Sequence, residues 1–145
     1  MNYARIALAA LAAAVVDAVY GFLVYGNALA GQFGQYSAVY RPPSDTSHMP
    51  VLFAGIVVGA AAAAYIYAKG YEGGSGAGEG IRFGAAMGVF VGGYVTLISW
   101  AVTNIGKRLA MSLAAAGFFE WVIVGLVIGL VYKPSASGAR RTAGV

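Results

Sequence analysis

The chain has 145 residues, of which 60% are hydrophobic and only 10% charged. Soluble domains carry roughly 25% charged residues, so the charge here is too sparse to coat a water-facing surface, and a mean hydropathy of +0.75 excludes both an ordinary soluble domain and a disordered chain. The net charge of +4 points to membrane orientation rather than to nucleic acid, because the basic residues stand at the ends of apolar runs.

A bilayer core of about 30 Å needs about 20 apolar helical residues. Four runs meet that length: 6–26, 51–68, 83–102 and 109–132. The first competes with a signal-peptide reading, with Arg5 as the charged region and 6–16 as the apolar one. Its apolar stretch continues past Asp17 to Tyr25, longer than the about 7–15 residues such a region has. Pro50 opens the second run, where its missing N–H does no harm. Lys133 and Pro134 stop the fourth. Residues 1–134 therefore read as one all-α domain, a four-helix transmembrane bundle, and 135–145 as a disordered cytoplasmic tail.

The connections differ. Residues 27–49 form the longest, with Tyr36, Tyr40, Pro42 and Pro43, and are expected to be partly ordered at the interface. Residues 70–80 (GYEGGSGAGEG) read as a flexible turn. Runs three and four are joined by a few residues around Lys107 and Arg108, which forces an antiparallel hairpin. Arg5, Lys69, Arg82, Lys133, Arg140 and Arg141 fall on one side of the membrane, and Arg41, Lys107 and Arg108 on the other. The positive-inside rule then puts both termini in the cytoplasm. Tyr3, Tyr25, Tyr71, Trp100 and Tyr132 fall near span ends, as an aromatic belt should.

Small residues four apart make flat helix faces on which another helix can lie closely. Gly55 and Gly59 form such a line on the second span, Gly84, Gly88 and Gly92 on the third, and Gly117, Gly125 and Gly129 on the fourth, where Trp121 interrupts it. They serve either packing within one bundle or contact with a second copy or a larger membrane complex.

Two acids stand inside the spans. Asp17 follows eleven residues of the first run, and Glu120 follows eleven of the last. Both fall near mid-bilayer, where a carboxylate costs about 3 kcal/mol or more to insert and marks a functional site by default. No basic residue shares their depth; Arg82 lies about 16 Å from the midplane at 1.5 Å per residue. One acid is expected to hold a proton, and two that face each other share it. The pair reads either as a proton- or cation-exchanging site or as neutral acids hydrogen-bonded as structural glue. Tyr20 and Tyr94 are the expected polar partners, and Trp121 reads as a space-filler.

Other chemistry is poorly represented. With no cysteine and one histidine, thiolate nucleophiles, iron–sulfur clusters, bis-His haem and H-E-x-x-H zinc sites are excluded. No metal or cofactor site is expected. GGSGAGEG lacks the G-x-G-x-x-G spacing, since Glu79 stands at the third glycine position, and no strand precedes it. Asp45, Ser47 and His48 read as a solvated turn. No enzymatic activity is expected.

An acid near the middle of span one in a short four-span chain resembles the small multidrug resistance exporters, in which a glutamate of the first helix exchanges protons and cationic drugs in a dimer. Here the acid is Asp17, the first loop is longer, and Glu120 has no counterpart. Over most of its length the chain is similar to uncharacterised four-span bacterial inner-membrane proteins. The likeness runs through Tyr20-Gly21 and Tyr25-Gly26 closing span one, GYEGG then GIRFG before span three, and GLVYKP ending the last span. That resemblance implies the fold and a bacterial inner membrane, and carries no activity. The expected function is a small oligomeric transporter or channel-like protein handling a proton or cation; the alternative is an accessory subunit packed against a larger membrane complex.

Overall fold

A computed structural model describes residues 1–132, and within them the chain is all α, with no strand. Helix α1 (Tyr3–Leu23) starts at Asn2, whose side chain accepts the Arg5 N–H at 3.1 Å and so satisfies one of the amides a helix start leaves open. It runs on through Val24–Ala28 with the wider π winding. There the Asn27 side-chain amide donates to the Phe22 carbonyl at 2.6 Å, intruding on the backbone ladder in the way that disturbs α geometry. A short helix α2 (Ala30–Phe33) and a 3₁₀ turn (Gly34–Tyr36) follow.

Helix α3 (Met49–Gly70) carries Pro50 in its first turn and Lys69 in its last, both favourable placements. Helix α4 (Gly76–Phe90) continues through a π stretch (Val91–Thr96) into α5 (Leu97–Val102), one rod of 27 residues. After a short turn α6 (Lys107–Tyr132) returns antiparallel. All four long helices are long and apolar enough to cross a membrane. The protein is thus a multi-pass integral membrane protein built as a four-helix bundle. Lys133, Pro134 and the tail 135–145 lie outside the described residues.

The third span begins seven residues earlier than the expected 83. Ser75 caps it, accepting the Gly78 N–H at 3.3 Å. The turn before it needs Gly73 at φ 89°, a left-handed conformation that glycine adopts without strain. Glu79, 8% exposed, folds back to accept the N–H groups of Gly74 and Glu72. The glycine-rich segment is therefore a tight turn plus the first turn of a helix rather than a flexible loop.

Its glycines lie directly against the backbone of α6. A Cβ placed on Gly76 or Gly80 would strike the carbonyl oxygens of Gly129 and Gly125; one on Gly84 or Gly88 would strike the backbone at Trp121 and Phe118. Backbones can lie this near only where side chains vanish. Gly84, Gly88, Gly125 and Gly129 are thus packing residues, joined by Gly76 and Gly80. Three other expected packing glycines meet no neighbouring helix closely within the chain. Gly92 falls in the π stretch, where the added Cβ would stand 4.0 Å from its nearest neighbour, Ala114 O, and Gly55 and Gly59 have nothing within 4 Å.

Helix α6 occupies the centre, with α4 on one side and α1 on the other, and α3 leans on α1 and α6. The core joins Ala9, Ala13 and Ala14 of α1 to Ala60, Ala63 and Ala64 of α3 and to Val124 and Ile128 of α6. All of it lies towards the glycine-turn end. Towards the other end α3 diverges, and most of residues 49–58 are exposed. That end is held instead by the long loop: Phe33, Tyr36 and Tyr40 pack on Ile105, Leu109 and Ala110, giving the partial order expected of it.

Candidate functional site

The divergence of α3 leaves a cavity of about 620 Å³ between α1, α3 and α6. Asp17 and Glu120 both line it. Each keeps part of its surface accessible, so neither is sealed in packing. Asp17 and Glu120 face this one chamber from α1 and α6, and carboxyls that meet in such a space share a proton. On α1 the lining runs Asp17, Gly21, Tyr25, a ridge at four-residue spacing. Gly21 leaves open the space between the acid and the tyrosine.

The Tyr25 hydroxyl donates to Glu120 Oε2 at 2.8 Å. This residue, expected only as a belt aromatic, is the acid's partner. It stands two turns beyond Asp17 on the same ridge, and that spacing is the signal that points to it. Gly117 stands opposite, where a Cβ would lie 3.9 Å from the Tyr25 hydroxyl oxygen.

The two expected partners lie elsewhere. Tyr20 donates to the Ala116 carbonyl at 2.8 Å, tying α1 to α6 beside the site, and meets the Tyr25 ring edge-on at 6.2 Å. It braces the donor rather than touching the acids. Tyr94 is 62% exposed and stacks on Phe90, on the outer face of the third span. Trp121 both lines the cavity and packs against the core, so it fills space and forms a wall at once.

The rest of the wall is hydrocarbon: Phe22 from α1, Leu52, Phe53 and Ile56 from α3, Val124 from α6. Gly55 and Gly59 belong to this wall, which explains the open space beside them. No Lys, Arg or His lines the cavity. Two acids and one hydroxyl in an apolar chamber can hold a proton, or a cation in its place. Tyr25→Phe removes one hydrogen bond while keeping the ring. It is expected to lower unfolding stability in mixed micelles by about 0.6–1.5 kcal/mol; an unchanged stability would show that the hydroxyl contributes nothing there.

Asp45, Ser47 and His48 form a different arrangement. The Ser47 hydroxyl donates to Asp45 and lies 2.7 Å from His48 Nδ1, so serine sits between acid and imidazole. A nucleophilic set needs the imidazole in the middle. Arg41 closes the turn on Asp45 at 3.0 Å. The Ser47 hydroxyl, then Arg41, hold the Asp45 carboxyl below its ordinary 3.8. A depressed carboxyl adds stability that is present above the ordinary value and is lost as pH falls through the lower, folded one. Carboxyl ¹³C titration is therefore expected to place the Asp45 midpoint below 3.8, with Ser47→Ala moving it upward; a midpoint at the ordinary value would contradict this turn.

No protein-family model, curated protein or solved structure matches the chain.

Proposed function

We propose that this protein is a small proton-coupled transporter, with Asp17 and Glu120 exchanging a proton for a cation. The reading rests on one observation: both mid-span acids line a single accessible cavity without a basic residue on its wall. Binding at mid-membrane between helices is how transporter sites are commonly built. An arriving cation takes the place of the shared proton, so the charge in the chamber stays nearly constant through the cycle. The hydrocarbon wall suits a cation that carries apolar surface better than a bare hydrated ion, because hydration lost at Phe22 or Phe53 has no polar replacement. Tyr25 orients the Glu120 carboxyl.

On the count of basic residues at span ends the termini and the glycine turn face the cytoplasm, which puts the cavity mouth on the opposite side; the resemblance to four-span bacterial proteins implies that the membrane is a bacterial inner one. Neutralising either acid tests the mechanism, as argued in the Discussion.

A second reading is favoured by the uncovered half of α3. Its residues 49–58 are mostly exposed, a face on which another helix can lie. That face suits a second copy of the chain or, for an accessory subunit, a larger complex. Extraction from native membranes in mild detergent separates these: a homo-oligomer supports the transporter, and quantitative comigration with other subunits supports the accessory role.

A further inference from the structure

A second cavity, of about 490 Å³, lies at the opposite end of the molecule, between the last turn of α3 and the first turns of α4. It shares no residue with the acid site. Helices that cross a bilayer end at its headgroup layer, so this cavity stands at that level. Its wall changes character with depth. Glu72 and Glu79 line the part nearest the glycine turn, and Ile66 and Phe83 the part within the spans.

Three features call for a ligand here. Tyr67 lines the cavity and is only 4% exposed, yet its buried hydroxyl has no hydrogen-bond partner among the described residues. A buried hydroxyl left unpaired is costly. The ring is not free to turn elsewhere, being set edge-on against Phe83 at 5.4 Å and Tyr132 at 5.9 Å. Next, Glu79 and Arg82 are three apart on α4, the spacing of helical ion pairs, yet the ion pair found among the described residues is Arg41–Asp45. The Arg82 guanidinium therefore remains to receive an anion. Finally, Glu79 is fixed by the turn amides it accepts; a carboxylate has acceptor sites beyond these, and Glu72 adds a second negative charge beside it.

A bare anion would meet two carboxylates here, and a bare cation would meet Arg82. A dipolar group satisfies both. We propose that this cavity binds the headgroup of a zwitterionic phospholipid bearing a primary ammonium. The phosphodiester accepts from Arg82 and from the Tyr67 hydroxyl, and the ammonium donates to Glu72 and Glu79. The first acyl carbons rest on Ile66 and Phe83. A quaternary ammonium has no N–H to donate, so a choline head loses the carboxylate half of the site; a glycerol head lacks the positive charge altogether.

The test uses the full chain in detergent, titrated with short-chain phosphatidylethanolamine, phosphatidylcholine and phosphatidylglycerol and read by native mass spectrometry. The ethanolamine lipid is expected to bind about 10-fold more tightly than either other lipid, and Tyr67→Phe and Arg82→Gln each to weaken it about 10-fold, the effect of one lost hydrogen bond to a charged group. Glu72→Gln is expected to narrow the gap between ethanolamine and choline. Tyr67→Phe preserves the ring packing, so its folding is not at issue. Equal binding of all three lipids, preference for phosphatidylglycerol, or ethanolamine binding untouched by both Tyr67→Phe and Arg82→Gln would each overturn the proposal.

Discussion

Gly129→Ala is expected to separate α4 from α6 and to destabilise the protein by about 3 kcal/mol, the upper part of the range for overpacked sites. The added methyl would fall on the Gly76 carbonyl oxygen and against Gly80. Both are backbone, so no side chain can rotate away, and relief requires moving a helix. Helix α4 rests chiefly on α6, and the displaced rod has little else to hold it. Gly80→Ala meets the Gly125 carbonyl and should behave alike. The matched control is Gly59→Ala. Nothing lies within 4 Å of that position, and alanine inside a helix is favoured over glycine by about 0.5–1 kcal/mol. Reversible unfolding in mixed micelles should therefore give changes of opposite sign for two substitutions of identical chemistry. Equal effects would mean that glycine content, rather than the α4–α6 seam, governs stability.

Asp17→Asn and Glu120→Gln are each expected to reduce proton-coupled cation uptake in proteoliposomes to the level of protein-free vesicles. The amides keep the size and much of the hydrogen bonding of a protonated acid, so the cavity and the Tyr25 contact persist in form. They cannot release a proton, and without release nothing couples the cation to the gradient. Stability should change by no more than about 1 kcal/mol, because interhelical hydrogen bonds within membranes average about 0.6 kcal/mol, and removing a charge from mid-bilayer is itself favourable. Wild-type uptake in both variants would end the coupled mechanism, while loss of uptake with loss of folding would point to the acids as structural glue.

Much of this arrangement was legible from residue order. The run lengths locate four spans, and counting from their ends brings Asp17 and Glu120 to one depth. They meet because antiparallel helices of similar length cross at their middles. Gly84 and Gly88 lie on the α6 backbone at Trp121 and Phe118, and Gly125 and Gly129 lie against Gly80, Gly84 and Gly76, on the lines that four-residue spacing marks out. The start of α4 was hidden because Gly76 and Gly80 look like loop glycines in sequence; only the neighbouring backbone reveals them as a packing seam. Gly55 and Gly59 carry the same spacing and line a cavity, since spacing fixes which residues share a face but not what stands opposite. Tyr25 shares the ridge of Asp17 but stands near a span end, where a tyrosine reads first as a belt aromatic. Tyr94 has the right depth and the wrong azimuth, and depth alone does not say which way a side chain points.

The joint between α1 and α3 is made almost wholly of alanine methyls. Deeply interdigitated side chains lock two helices against tilting; methyls set shallow teeth that slide. Ala60 to Ala68 can thus serve as a fulcrum, and the part of α3 from Ala60 to Met49, about 16 Å long at 1.5 Å per residue, as the lever. A rock of about 10° at the joint carries Met49 through about 3 Å. Such a rock would widen or narrow the mouth of the acid chamber by about the width of a water molecule and leave the glycine-turn end nearly still.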